Sequence, residues 1–281
     1  MFEKKYNPLH NLIKTASVAV LGIFVTIGLT GCDLDADLDS PATFEVLMHD
    51  APTDDLEQFN VHVKSIEAQR AGGGWTTIGE PDEVYNLLEL VNGNKVVLGE
   101  EEVESGRYTQ VRLILGEDNS VLNKDGEVSN LSVPSGAQTG IKLIINADLQ
   151  EGVRYTLNLD FDASRSLIKT GESPNINYVL NPVIRAYEEA LTGTIGGVVE
   201  PAEAAARIDA IVDDTVFTST YADENGGFLL IGLEPQSYQI VIEATEGDYE
   251  TETREDIEIV AGENYDLGTI ELTGSEEESE E

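Results

Sequence analysis

After the N-terminal region, apolar residues recur at every second position instead of at the three- and four-residue spacing of a helix. Phe59, Val61 and Val63 alternate with polar residues, and a similar alternation returns at 111–115 and 141–145. Successive side chains of a strand point to opposite faces of its sheet, so this spacing predicts half-buried strands. The sequence contains no long amphipathic helix. The pattern therefore predicts an all-β chain.

Short clusters of turn-forming residues separate the predicted strands. They combine Gly with Asn, Asp, Pro or Ser at 72–74, 92–94, 125–126 and 134–136. Many short strands at regular spacing are typical of antiparallel sandwiches. Near 188–192 the spacing changes, and about seven shorter strands follow within roughly 80 residues. We therefore predict two antiparallel β-sandwich domains in tandem, at 43–187 and 191–272.

The first 31 residues have the composition of an export signal. Three Lys residues accompany an uncharged apolar run at 16–29, which is short for a membrane span. The run ends in Leu29-Thr30-Gly31-Cys32, which resembles the bacterial lipobox, where the Cys is acylated and becomes the first mature residue. We therefore predict a lipoprotein signal peptide at 1–31 and anchoring to the bilayer through a lipidated Cys32. A plain membrane anchor with an incidental Cys is the alternative.

Both ends of the predicted mature chain are acidic. Residues 32–42 alternate Asp with small or apolar residues, which predicts a flexible acidic tether that holds the first domain off the membrane. Residues 273–281 predict a charged, disordered tail. The predicted location is the bacterial cell envelope. We favour the outer membrane, although Asp33 directly after the lipidated Cys retains lipoproteins at the inner membrane of enteric bacteria.

The overall charge restricts the classes of partner. The chain has 54 acidic and 16 basic residues, a formal net charge of −38. Such a chain repels the phosphates of nucleic acids, which excludes them as partners. The acidity indicates either adaptation to a salty environment or binding of divalent cations. We favour the first interpretation, because the acids are spread along the whole chain.

Few residues offer chemistry. The single Cys excludes an internal disulfide and a Cys-based zinc site. Asp50, Asp54 and Asp55 surround Pro52, which indicates either a weak Ca²⁺ site or Asp side chains that cap turns. We favour turn capping, and we predict no other cofactor.

Catalysis is not predicted. The only His residues outside the export signal are His49 and His62, and the position of His62 between Val61 and Val63 predicts that its side chain faces solvent. No Gly-x-Ser-x-Gly nucleophile elbow is present. Paired carboxylates cleave glycosides, but in so acidic a chain such pairs arise by chance. We therefore predict a binding or surface-presentation role, with a glycan or another envelope protein as partner. The alternative is a carbohydrate-binding or carbohydrate-hydrolysing envelope protein.

Three cations interrupt apolar segments: Arg112, Lys142 and Arg185. Asp160 and Asp162 lie on one face of a predicted strand, so we predict that these cations are their ion-pair partners, with Arg112 beside Asp160. The rival interpretation is a basic pocket for a sugar acid or a phosphate. Trp75, the only Trp, predicts either a buried strand anchor or an exposed platform for a sugar ring.

Residues 43–187 contain a series of segments in a specific order and spacing. They are Asp50-Ala51-Pro52 with Asp54-Asp55, Gly73-Gly74-Trp75, 86–90, Gly106-Arg107-Tyr108-Thr109-Gln110-Val111-Arg112-Leu113, 133–143, Asp160-Phe161-Asp162 and 180–185. In these segments the chain resembles the bacterial lipoprotein family called domain of unknown function 4382. It departs from the usual pattern at Met48-His49 and at Asn181. The resemblance implies a fold and an envelope location, but no activity.

Residues 191–272 carry a second set: 193–199, Thr220-Tyr221-Ala222-Asp223-Glu224-Asn225-Gly226-Gly227-Phe228 and 232–238. They resemble the regulatory-like domain of carboxypeptidases, a transthyretin-type sandwich that serves as an accessory module without catalysis. Gln236 stands where Gly is usual. If that position needs a positive φ, Gln there costs roughly 1 kcal/mol.

Overall fold

The computed structural model describes residues 40–51, 53, 56–134, 139–170 and 177–274. Within these ranges the chain is almost entirely β-structure, so the predicted all-β sandwich class is confirmed. The signal peptide at 1–31, most of the tether and most of the tail lie outside them. In the part of the chain that is described, no helix has the length and apolar character needed to cross a membrane.

Thirteen of the described strands belong to the first domain. They are β1 Ala42–Ala51, β2 Leu56–Arg70, β3 Trp75–Gly79, β4 Glu83–Asn86, β5 Val96–Val103, β6 Gly106–Leu115, β7 Ser120–Asn123, β8 Val128–Ser132, β9 Ile141–Leu149, β10 Arg154–Asp162, β11 Leu167–Thr170, β12 Asn177–Leu180 and β13 Ile184–Glu188. Three short helical segments are fully described beside these strands. They are the 3₁₀ turns Leu87–Glu89 and Glu189–Leu191 and the four-residue helix α1, Ala163–Ser166.

Two sheets pack against each other in this domain. One has the order β13-β10-β1-β5; the other runs β11-β12-β8-β7-β2-β6-β9, with β3 and β4 also paired to β2. Most pairs are antiparallel, as predicted, but β1 pairs with β10 and β8 with β12 in parallel. These parallel partners are distant in the chain, and periodicity within a strand carries no information about them.

The long strand β2 shows how the period-two pattern builds the core. Phe59, Val61 and Val63 are fully buried, as their alternation predicted. A β-bulge opposite β6 then inserts one residue, and Ile66 and Ala68 become the buried positions. Because one residue is inserted, the buried apolar residues change from odd-numbered to even-numbered positions. The same face of the strand therefore stays in the core.

The second domain has seven described strands, the number predicted. They are β14 Gly193–Glu200, β15 Arg207–Val212, β16 Thr215–Tyr221, β17 Gly227–Leu233, β18 Ser237–Glu243, β19 Glu252–Glu258 and β20 Asn264–Glu271, with a 3₁₀ turn at Ala202–Ala204. They form the sheets β17-β14-β20 and β16-β15-β18-β19, in which only β14 and β20 are parallel among the described pairs. Their buried residues form a cluster separate from that of the first domain. Independent folding of the two domains stays a prediction.

The residue with a left-handed conformation in this region is Gly232, near the end of β17, with φ +70°, and not Gln236 in the loop before β18. A Cβ at Gly232 would come within 2.5 Å of the Tyr187 ring, so glycine is needed there for space as well as for conformation. Gln236 instead donates from Nε2 to the Tyr238 hydroxyl at 2.9 Å. Gln236 does not have a positive φ, so the strain considered for this position in the sequence analysis is absent.

Candidate functional site

Most of the predicted site residues lie outside the described ranges: Cys32, Asp54 and Asp55. Asp50 is described, and it is 4% exposed. Its Oδ1 accepts a hydrogen bond from the backbone N–H of Ala163 at the start of α1, at 3.0 Å. Burial raises the pKa of Asp50 well above its usual range. This bond reaches an element 113 residues further along the chain, so it is not the local turn capping suggested for the loop around Pro52, which stays a prediction.

Metal binding finds no support in the arrangement of ligands. Among the residues in the ranges above, no group of three or more His, Cys, Asp or Glu side chains could hold a metal ion. The Ca²⁺ hypothesis for the loop around Pro52 therefore stays a prediction about residues outside those ranges.

His62 lies on β2 in an enclosed setting. Its backbone N–H donates to Asn119 Oδ1 at 2.8 Å, and its backbone carbonyl accepts from the N–H of Gly116 at 2.8 Å. The ring packs against Gly116, where a Cβ would overlap it. Its Nε2 lies 3.1 Å from Asp82 Oδ1, and its Nδ1 lies 3.7 Å from Asp118 Oδ2. Only 15% of the side chain is exposed, so His62 faces solvent less than its position between Val61 and Val63 predicted.

A cavity of about 790 Å³ opens beside His62. Its size falls within the roughly 300–1,000 Å³ that is typical of ligand pockets. Its polar lining contains both signs of charge, and its apolar lining comes from β6 and from the end of β8. The lining residues are His62, Lys64, Asp82, Ile114, Leu115, Gly116, Glu117, Asp118, Asn119, Leu131, Ser132 and Val133. We call this cavity the His62 pocket.

The carboxylates of the His62 pocket do not resemble those of a glycosidase. A catalytic acid needs burial to hold its proton near neutral pH. Asp82 is 67% exposed and Asp118 is 83% exposed, so neither has such surroundings. Both carboxylates are therefore surrounded mainly by solvent.

The junction of the two domains contains a buried ion pair. Arg185 Nη2 lies 2.8 Å from Asp160 Oδ2, and Arg185 Nη1 donates to the backbone carbonyl of Gly232 at 2.7 Å. The guanidinium also stacks over the rings of Tyr187 and Phe217, at 4.7 and 4.5 Å from their centroids. Gly232 and Phe217 belong to the second domain. One Arg side chain thus connects both domains.

Asn92 makes a second connection across this junction. Its backbone N–H donates to Thr220 Oγ1 at 3.0 Å, and its Nδ2 donates to the carbonyl of Gly227 at 3.1 Å. Its Oδ1 accepts from the N–H of Leu229 at 2.6 Å. Asn92 has a positive φ of 54°, a conformation that Asn tolerates better than most residues. The hydrogen bonds of one residue therefore fix the turn before β5 to the second domain.

His49 contacts Asp160 and Tyr187, which also contact Arg185, and it is 3% exposed. Its Nε2 is 2.8 Å from the Tyr187 hydroxyl, and its Nδ1 is 3.6 Å from Asp160 Oδ1. Burial lowers the pKa of His49 to about 4, although the Asp160 carboxylate acts in the opposite direction. Burial also raises the pKa of Tyr187 above its usual range. Both groups are therefore neutral at pH 7, and neither is an activated nucleophile.

The ion-pair prediction is confirmed for Arg185 and wrong for Arg112. Arg112 pairs with Glu67 on the neighbouring strand, with Nε 2.6 Å from Oε2, and its guanidinium stacks 4.4 Å above the Trp75 ring. Arg112 and Asp160 lie in different sheets, which keeps them apart. Arg185 is likewise in the other sheet from Arg112, so the rival basic pocket does not form. Trp75 is half-buried under Arg112. Its environment thus lies between the two that the sequence suggested, a buried strand anchor and an exposed platform for a sugar ring.

Glu189 brings together two further polar side chains that sequence reasoning missed. Its Oε2 accepts from Lys95 Nζ at 3.0 Å and from Asn158 Nδ2 at 3.1 Å. Asn158 is fully buried, and its Oδ1 has no partner among the residues described. Burial acts to raise the pKa of Glu189, but the bonds from Asn158 and Lys95 hold it below its usual range. The three residues are far apart in the sequence, so no local motif signals them.

The comparison with protein families completes this description. The described part of the chain is all-β, with two separate clusters of buried residues and a ligand-sized pocket among the strands of the first cluster. Residues 41–182 match the family described as "Domain of unknown function (DUF4382)", and the chain belongs to this family. The match confirms the resemblance inferred for 43–187. A comparison with curated proteins finds no significant match.

Solved structures offer only distant similarity. A chain of a type II cohesin–X–dockerin complex from Acetivibrio cellulolyticus is 16% identical, with 29% of this chain and 58% of that chain covered and a TM-score of 0.24. The Bacillus anthracis TIE protein is 11% identical, with 84% and 34% covered and a TM-score of 0.23. The minor pilin GBS52 of Streptococcus agalactiae is 8% identical, with 85% and 99% covered and a TM-score of 0.24. This chain thus spans less than two thirds of the first two proteins, and TM-scores of this size do not establish a shared fold.

Proposed function

We propose that the protein is a lipid-anchored lipoprotein of the bacterial cell envelope that acts by non-covalent binding and not by catalysis. The lipobox at 29–32, with the only Cys of the chain, supports the anchor. The observation that carries the binding role is the His62 pocket. It combines a ligand-sized volume with charged groups that fix a ligand and apolar side chains that cover it.

The lining of the His62 pocket suits a glycan. Sugar hydroxyls donate to carboxylates such as Asp82 and Asp118 and accept from the Lys64 ammonium. The apolar faces of sugar rings pack against side chains such as Ile114 and Val133. The exposed carboxylates provide no general acid for hydrolysis, which favours binding over cleavage.

In this proposal the second domain is an accessory module. Its resemblance to the carboxypeptidase regulatory-like domain suggests a non-catalytic role. Asn92 and Arg185 hold it against the first domain. The pair would therefore present the pocket in a constant orientation relative to the second domain.

A glycan array tests the proposal. Residues 33–281 are applied as a soluble protein beside His62→Ala and beside Lys142→Ala, which changes an exposed strand residue outside the pocket. We expect the wild type and Lys142→Ala to retain the same glycans and His62→Ala to lose them. Absence of any bound glycan, or binding that survives in His62→Ala, would exclude the His62 pocket as a glycan site. An envelope pull-down with the same three proteins then tests a protein partner.

A further inference from the structure

We propose that Lys95 and Asn158 become joined by an intramolecular isopeptide bond, with Glu189 as the group that transfers the protons. Lys95 Nζ and Asn158 Nδ2 both donate to the same atom, Glu189 Oε2, at 3.0 and 3.1 Å. Two nitrogen atoms bound to one oxygen are close neighbours, so the amine and the carboxamide are already in proximity. An ammonium, a carboxylate and a carboxamide are the groups that this amide exchange needs.

The sheet brings Lys95 and Asn158 together from opposite sides of β1. In the register of the sheet, Leu47 on β1 pairs with Asn158 on β10 on one side and with Val97 on β5 on the other. Residues paired across strands point to the same face of the sheet. Lys95 directly precedes β5, and the bonds of Lys95 Nζ and Asn158 Nδ2 to the same Glu189 oxygen place both groups on one side of the sheet. The linkage would pass over β1 and tie the edge strand β5 to β10.

The surroundings of Asn158 favour the reaction. Its side chain is fully buried, so water does not compete with the amine for the carboxamide. Its Oδ1 has no partner in the described part of the chain, so among the described contacts a rotation of the amide breaks only the bond from Nδ2 to Glu189 Oε2. A half-turn of the amide exchanges Oδ1 and Nδ2. The carbonyl then faces Glu189, whose protonated form would polarise it.

The reaction balances without an oxidant, a reductant or a co-reactant. The Lys95 ammonium passes one proton to Glu189, and the neutral Nζ attacks Cγ of Asn158. The new Nζ–Cγ bond replaces the Cγ–Nδ2 bond. A second proton moves from Nζ through the Glu189 carboxyl group to Nδ2, which leaves as ammonia, and the first proton leaves Glu189 with it as an ammonium ion. A Lys ammonium and an Asn carboxamide thus yield a secondary amide and an ammonium ion.

The position of Glu189 between the two domains makes the reaction depend on docking of the second domain. Glu189 begins the short 3₁₀ turn that connects the two domains. A junction cavity of about 230 Å³ is lined by Lys95, Tyr187 and Glu189 together with Gly232 and Asn264 of the second domain. The linkage therefore forms after the second domain has docked, because docking completes the surroundings of Glu189.

Mass spectrometry of the full-length protein tests the proposal. Because an acylated N-terminus changes the intact mass, the protein is purified from membranes, unfolded and digested, and the peptides are measured. We expect a linked pair of peptides that contain Lys95 and Asn158, lighter than their sum by one ammonia, about 17 Da. Unlinked peptides of full mass from the wild type would overturn the proposal. A deficit of one water, about 18 Da, would indicate a Lys95–Glu189 amide and would also overturn it.

Three variants and one control separate the chemistry from folding. Lys95→Arg keeps a cation beside Glu189 but has no nucleophilic amine, and Asn158→Leu removes the carboxamide from a buried position. Both should yield only unlinked peptides. Lys142→Arg on β9 is the matched control and should retain the linkage. A linkage that persists in Lys95→Arg would exclude Lys95 as the amine. Glu189→Gln should also prevent the linkage, and a linked product in this variant would exclude Glu189 as the proton-transfer group.

Discussion

Arg185 holds Asp160 through two hydrogen bonds to one carboxylate oxygen, Oδ2, from Nη2 at 2.8 Å and from Nε at 3.2 Å. Asp160 Oδ1 has no hydrogen-bond partner among the described residues. The carboxylate is 7% exposed, so it depends on this one guanidinium for its compensation. The same guanidinium donates to the second domain, which couples the charge balance of one domain to the docking of the other.

Arg185→Met should therefore destabilise the protein strongly. Removal of one partner leaves the Asp160 carboxylate buried without compensation, which we expect to cost about 2–3 kcal/mol, below the usual range for buried pairs because Arg185 is partly exposed. Arg70→Met is the control, because its pair with Glu104 is exposed and should contribute less than about 1 kcal/mol. Urea unfolding of both variants provides the measurement. An equal decrease in the free energy of unfolding of the two variants would contradict a special role of the Arg185–Asp160 pair.

The contribution of His49 to the free energy of unfolding should decrease between pH 6.5 and pH 4. Its pKa is lowered from 6.5 to about 4 in the folded protein, so in this window the unfolded chain binds a proton that the folded chain does not. Through His49, acidification across the whole window therefore stabilises the unfolded state relative to the folded state by about 3 kcal/mol. Asp50 acts in the opposite direction, because burial raises its pKa and the folded state takes up its proton first.

The variant His49→Gln isolates this contribution. Gln is neutral at every pH and can still hydrogen-bond to the Tyr187 hydroxyl. We expect the difference in unfolding free energy between the wild type and His49→Gln to shift in favour of the variant as the pH falls from 7 to 4.5. Urea titrations at the two pH values measure it. A difference that does not change with pH would show that His49 has an ordinary pKa.

Cys32 should carry lipid. Metabolic labelling with an alkyne fatty acid is expected to tag the wild type, because Cys32 ends the lipobox and is the only Cys of the chain. Cys32→Ser should abolish the label, since Ser offers no thiol for acylation. Cell fractionation of the labelled protein then distinguishes the outer from the inner membrane. A label of equal intensity in Cys32→Ser would place the acyl chain elsewhere.

Residues 191–274 should fold as a separate domain. They contain their own cluster of buried residues, including Ile195, Ile208 and Leu230. We expect cooperative unfolding of this fragment by urea, with a midpoint below that of the same domain in the full chain. The fragment lacks the bonds from Asn92 and Arg185, which explains the lower midpoint. An unstructured fragment would show that the boundary near residue 190 is wrong.

Local alternation determined a large part of this protein. The pattern around Phe59 and Val63 predicted the inward face of β2, and the turn clusters predicted two successive strand-rich domains. The order and spacing of the segments from Asp50 to Arg185 were sufficient to indicate the family. Such features depend on neighbouring residues, whose relative directions are set by the backbone of a strand.

Only the tertiary structure decided which distant side chains meet. Arg112 and Arg185 interrupt similar apolar runs, yet Arg112 pairs with Glu67 within its own sheet and Arg185 with Asp160 in the other. The contacts of Glu189 with Lys95 and Asn158 depend on the order β10-β1-β5 and on the turn after β13. A period of two gives the face of a strand but not its neighbour, because strand order is set by the packing of the whole chain.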